Sequence, residues 1–301
     1  MSGKNRSSGR KLIKTQQGLE SVAGYLFSAP FVFGFLFFIA VPMLMSLYYS
    51  FCDYNIVSPA KFSGLKNYIQ MFQDSRWRKA LKVTLFYAFV SVPLRVIFAL
   101  IVAMILNRQT RVTAIYRAMY YLPSLLGSSV AVAVLWKRLF ANNGPINQLF
   151  HLEIKWLGDP SAAIWVLILL SVWQFGSSML VFLSALKQVP VTLYEAAEVD
   201  GVGKVRRFFS ITLPLITSSA FFNIIMQFIN GMLVFASGQI ISDGKPLDST
   251  LFYVVYMYKQ SFQYNNAWLA VAMGWFLILI VGVFTAIFFA TKKLWVYEGG
   301  Y

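Results

Sequence analysis

Apolar residues along this chain fall in long continuous runs and do not alternate with polar ones. Six runs are long enough to cross a bilayer core, which takes about 20 helical residues: Val22 to Tyr48, Leu81 to Leu106, Ala118 to Leu135, Ala162 to Leu186, Leu213 to Phe235 and Ala267 to Ala290. Continuous runs exclude the alternating strands of a membrane β-barrel. The pattern therefore predicts an all-α, polytopic membrane protein of six transmembrane helices, spanning residues 22–291 between a basic tail at 1–21 and a short tail at 292–301. One polar insert, residues 187–213 between the fourth and fifth runs, carries more helix-forming chemistry than a turn needs. Glu195 to Val199 favour a helix, Gly201 is a natural stop, and Pro214 suits the first turn of the next run. Two short helices lying along one membrane face are expected there.

Composition supports the membrane reading: 12% of the residues are charged, against about a quarter in soluble domains. Lys4, Arg6, Arg10, Lys11 and Lys14 precede the first run, but that run is too long for a signal peptide and no small-residue cleavage site follows it. The net charge of +15 is spread over loops on both sides, so lipid headgroups and not nucleic acid are the expected counter-charge. A single Cys52 permits no intramolecular disulfide, and a single His151 leaves no Cys/His metal cluster. Neither a metal site nor a catalytic residue is expected. With the first helix taken to dominate topology, both termini lie in the cytoplasm, and so does the insert. Lys61, Lys66, Arg76, Arg78, Lys79 and Lys82 then fall outside and weaken the charge bias. Pro30, Pro42, Pro93 and Pro123 lie within runs and predict kinks.

Polar side chains inside a bilayer are costly and face a bundle interior or a water-filled cavity. In the fourth run Ser171, Trp173, Gln174 and Ser177 lie ~20 Å from the inner boundary at Lys187, counting 1.5 Å per residue. In the fifth, Asn223, Gln227 and Asn230 share one helix face, with Gln227 also ~20 Å beyond Pro214. The two groups meet at one depth. Amides and hydroxyls beside an aromatic ring suit a sugar; interhelical hydrogen bonding is the competing explanation. Arg95 lies ~17 Å deep in the second run, and no run holds an Asp or Glu to pair with it. Backbone carbonyls, above all those freed by Pro93, water, a partner subunit or an anionic substrate such as a uronic-acid oligosaccharide must answer that charge.

The insert also resembles a known motif. Glu195-Ala196-Ala197, then Asp200-Gly201, then Phe208, Ile211 and Leu213-Pro214 follow the spacing of the EAA loop in permease subunits of binding-protein-dependent ABC importers. Phe62-Ser63-Gly64-Leu65-Lys66-Asn67-Tyr68, Tyr121-Leu122-Pro123 and Asp243-Gly244-Lys245-Pro246 resemble the sugar-uptake branch, the maltose and glycerol-phosphate type. Val202 and Ser218 depart from the usual pattern. The resemblance implies a type I importer permease in a bacterial inner membrane, with the insert as a cytoplasmic coupling helix. Glu195, Ala196, Ala197, Asp200 and Gly201 would dock on an ATPase; the two small alanines would permit close approach and Asp200 would brace the turn. The implied partners are a second, similar permease, two ATPase subunits, the lipid bilayer and an extracytoplasmic solute-binding protein. The chain has no Gly-x-x-x-x-Gly-Lys-Ser/Thr loop, since Glu198 stands where Gly203-Lys204 would need the first glycine. ATP and Mg are therefore expected on the partner ATPase subunits, with no cofactor here. The expected cargo is a sugar or oligosaccharide, including one containing uronic acid. Glycerol phosphodiesters or other anionic polyols are the alternative, and an ion-coupled secondary transporter is a more distant one.

Overall fold

The computed structural model describes residues 24–55, 58–108, 112–127 and 129–297. The tail at 1–21, Val22 and Ala23 of the first run, and residues 298–301 of the C-terminal tail lie outside the described residues. The first run forms α1 (Gly24–Ser50). It widens into a π-turn over Leu36–Ala40 just before Pro42, which has no N–H to continue the regular ladder. A two-stranded antiparallel ribbon follows, β1 (Cys52–Asn55) and β2 (Ser58–Phe62), pairing Cys52 with Phe62 and Asp53 with Lys61. It is a small departure from an all-α chain, in a stretch where apolar runs carry no information. Next comes α2 (Lys66–Gln73). The Asn67 amide donates to the Ser50 and Cys52 carbonyls, both at 2.8 Å, and so answers carbonyls left open at the end of α1.

The second span, α3 (Ser75–Leu106), starts earlier than predicted because Asp74 caps it, accepting from the Arg76 N–H at 2.9 Å. Three of the predicted continuous spans are broken. The third is α4 (Thr113–Leu126) and α5 (Val130–Leu139), bent by 99°; Ser129 starts the second piece by accepting from the Val132 N–H. α6 (Pro145–Phe150) is a short helix opened by its proline. The fourth span is α7 (Ala163–Trp173) and α8 (Gly176–Gln188), bent by 41°. The insert forms α9 (Val191–Val199) and α10 (Lys204–Leu215). A 69° break then leads into α11 (Thr217–Met232). Pro214 thus closes the insert and does not open the fifth span. It has no N–H for the Ser210 carbonyl, the preceding turn widens to π geometry over Phe208–Thr212, and the helix stops at Leu215. The chain ends with α12 (Ala236–Ile241), α13 (Tyr253–Tyr258) with a π-turn over Lys259–Gln263, and α14 (Ala267–Trp295).

α3 is the hub, packed against α7, α8 and α11. A core around Trp77, Phe252, Tyr253 and Met273 fills the end away from the insert; there the Trp77 indole N–H donates to the Tyr253 hydroxyl, which donates to the Met273 carbonyl. A second core of Val96, Phe182, Leu186 and Ile216 fills the insert end. At the far end the predicted outer cations make specific contacts. Arg76 forms a two-pronged ion pair with Asp248, both bonds 2.9 Å, and Lys79 donates to the Leu247 carbonyl. By contrast, the apolar window of α1 is 0% buried by the rest of the chain.

Candidate functional site

A polar cavity of about 460 Å³ lies among α3, the broken third and fourth spans and α11. The breaks make it polar, because each helix end leaves backbone groups without helical partners. Of the predicted path residues, Arg95, Ser171, Gln174 and Ser177 line it from the second and fourth spans, and Gln227 and Asn230 from the fifth. Two do not. Trp173 packs against Trp136 with ring centroids 5.4 Å apart, and buried Asn223 donates to the Ser178 carbonyl. The cavity also takes in Tyr87 and Ser91, which sequence reasoning missed. They precede Arg95 by eight and four residues, so a shared helix face was the available signal. Ser124 and Ser129 line it from either side of the break between α4 and α5, a break the apolar pattern did not reveal.

Arg95 anchors the chemistry. One Nη donates to the Gln174 carbonyl at 2.5 Å, a group freed where α7 ends, and not to a carbonyl released by Pro93. The Gln174 side chain meanwhile donates to the Gly127 carbonyl at 3.0 Å, tying the two broken spans together. Gly176 permits their close approach: a Cβ there would sit 2.3 Å from the Tyr120 carbonyl oxygen. The Arg95 Nε is buried without a partner, and so is the Gln227 Oε1, whose amide nitrogen bonds the Ser178 hydroxyl at 3.0 Å. Among the described residues no Asp or Glu lines the cavity. Its charge is therefore positive, and its open positions are a donor on Arg95 and an acceptor on Gln227. Buried polar groups of this kind call for a partner from water or ligand.

The second candidate region is the insert. The Val202 N–H bonds the Ala197 carbonyl and the Gly201 N–H bonds the Glu198 carbonyl, with Gly201 at φ +69°. This is a Schellman turn, which needs a left-handed residue at that place. Backbone bonds hold it: the bond at Asp200 runs from its own N–H to the Ala196 carbonyl, where the sequence suggested a side-chain brace. Two struts join the helices, Arg207 to Glu198 at 3.3 Å and the Tyr194 hydroxyl to the Thr212 hydroxyl at 2.8 Å. Glu195, Ala196 and Asp200 are exposed, but Ala197 is buried within its own chain, so only one of the two alanines faces outward. The tip instead presents Val199 and Val205, 89% and 73% exposed, a pair the sequence reading passed over.

Residues 62–294 match the model of the family described as binding-protein-dependent transport system inner membrane component. The chain is 47% identical over 286 residues to the probable ABC transporter permease protein YesP of Bacillus subtilis (strain 168), covering 92% of this chain and 93% of that one. It is 30% identical to the lactose transport system permease protein LacF of Rhizobium radiobacter, covering 90% and 95%. Its fold is similar to a chain in the crystal structure of a bacterial alginate ABC transporter in complex with alginate pentasaccharide-bound periplasmic protein. There the TM-score is 0.82 at 20% identity, over 95% of this chain and 99% of that one.

Proposed function

This chain belongs to the family of binding-protein-dependent transport system inner membrane components, and from that premise we propose that it is a permease subunit carrying an acidic, uronic-acid-containing oligosaccharide into a bacterial cell. One observation carries the substrate class: among the described residues, Arg95 faces a cavity lined by no carboxylate and keeps its Nε without a partner. A uronate carboxylate answers that cation, and a sugar hydroxyl answers the Gln227 Oε1. A neutral sugar would leave the charge unmatched in a low-dielectric site. The relatives include the lactose permease LacF, and the fold neighbour is an alginate transporter; both names agree with a carbohydrate cargo.

Transport runs by alternating access. A binding protein delivers the sugar at the far end, a second permease completes the pore, and two ATPase subunits bind ATP and Mg and close against the insert at Val199 to Val205. Both termini then lie in the cytoplasm of a multi-pass inner-membrane protein, and this chain makes and breaks no covalent bond. Ion-coupled transport is less well supported, since no Asp, Glu or His lines the cavity among the described residues.

The test is uptake by cells expressing the complete operon, with labelled galacturonate or mannuronate oligosaccharides against neutral ones of equal length. Arg95→Gln should abolish uptake of the acidic glycans and leave assembly intact, and Arg95→Lys should restore part of it. Unchanged acidic uptake in Arg95→Gln would refute the substrate class without touching the permease assignment.

A further inference from the structure

The Phe62 to Tyr68 motif has a structural role at its buried face: Asn67 holds the end of α1, and the Tyr68 hydroxyl donates to the Ser50 hydroxyl at 2.9 Å. Its other face is largely uncovered by the described residues. Phe62, Leu65, Ile69 and Phe72 are 71%, 61%, 55% and 48% exposed. The last three follow an i, i+4, i+7 spacing along α2, while Asn67 and Met71 on the opposite side are buried. At Phe72 the stripe meets the core, its ring packing edge-on against half-buried Phe276 of α14 and buried Trp77 of α3, each at 5.2 Å.

Charge is close to it in the sequence. Between residues 61 and 82 the sequence holds six Lys or Arg and one acid, Asp74. Arg76 is held by Asp248, and Lys66 by Asp53 at 3.1 Å. Lys61, Arg78 and Lys82 are exposed, and none has an ion-pair partner among the described residues. An exposed apolar stripe with unpaired, exposed cations close by in the chain fits the boundary between acyl chains and phosphates.

We propose that Phe62, Leu65, Ile69 and Phe72 bed α2 into the headgroup boundary of the leaflet at the far end, with Lys61, Arg78 and Lys82 on the phosphates of anionic phospholipids. The anchor fixes α2 at a set depth, and through Asn67 it sets the height of the end of α1. Because this places a protein already read as membrane-spanning, it holds whatever sugar the cavity carries.

Cys52 is the sole cysteine and is fully buried, so a spin label on Leu65→Cys, Ile69→Cys or Gln73→Cys reports its own site, with the wild-type chain as blank. The assembled transporter is placed in vesicles of phosphatidylcholine alone or mixed with phosphatidylglycerol, and collisions with oxygen and with a water-soluble nickel chelate are compared. The expected result is a lipid-like profile at 65 and 69, a water-like one at 73, and a severalfold gain in nickel access at 69 when phosphatidylglycerol is omitted or Lys61, Arg78 and Lys82 are changed to Gln. Water-like access at 65 and 69 in both lipids would overturn the anchor. Identical profiles in both lipids would overturn the role of the cations. Shielding that arises only on adding the solute-binding protein would overturn the lipid assignment in favour of a protein-docking face.

Discussion

Replacing Gly201 separates two roles that the turn between α9 and α10 is asked to fill. Gly201 sits at φ +69°, and a Cβ built there meets nothing within 4 Å in this chain. Gly201→Ala therefore brings no clash, only left-handed strain of about 1–2 kcal/mol, or roughly five- to thirtyfold in the equilibrium that closes the turn. Gly201→Asn enters the same region at much lower cost. Amide exchange at Val202, whose N–H bonds the Ala197 carbonyl, should rise by that factor in the Ala variant and stay near wild type in the Asn variant. If the turn also lies against an ATPase, both variants place a side chain on the contact face. Both should then lose ATPase on co-purification, and uptake with it, with the Asn variant losing far more than its backbone strain explains. An Asn variant that keeps full ATPase and full uptake would refute docking at this turn. Equal exchange in the two variants would refute the strain reasoning.

Three further outcomes follow from the packing. Gly176→Ala would drive a Cβ to 2.3 Å from the Tyr120 oxygen and 2.7 Å from the Tyr121 Cα, both backbone, whereas the atoms nearest a Cβ at Gly127 belong to the Gln174 side chain. The first should cost at least the ~1–3 kcal/mol of an overpacked core and melt lower than the second; equal melting in detergent would contradict the close approach. Asn67→Asp keeps the size of a residue that is 1% exposed but loses its donor to two carbonyls, so it should lower stability by about 2–3 kcal/mol, and an unchanged melting curve would discount the cap. A double-mutant cycle on Arg76 and Asp248, whose side chains are 42% and 28% exposed, should give ~1 kcal/mol of coupling after solvent screening, falling in about 0.5 M salt.

How much of this was legible in the sequence depends on what each feature needs. Depth counting from Lys187 and Pro214 brought Gln174 and Gln227 to one level, and the structure sets both in one cavity. Helical phase was harder to read. Trp173 and Asn223 lie within a few residues of cavity-lining neighbours, but the break after Trp173 turns its ring to Trp136, and Asn223 faces Ser178. A run of apolar letters carries no mark of where a helix breaks inside it. Gly127, Ser129 and Pro214 were the local hints, each with an ordinary role inside a continuous helix as well. The partner of Arg95 was out of reach for the same reason, since the Gln174 carbonyl is free only because α7 stops there.

The bare first helix bears on how the protein is made. It touches the rest of the chain mainly near its far end, where Ser46 meets Trp275, and its apolar window is covered nowhere. A newly synthesised chain can therefore finish its own bundle with the leading helix still adrift in lipid, an arm of ~40 Å pivoting near one end. If a second permease completes the pore as proposed, that subunit is what gives this helix its resting place. On that reading, a copy of this chain made without its partner keeps a loose arm, its apolar face left to lipid.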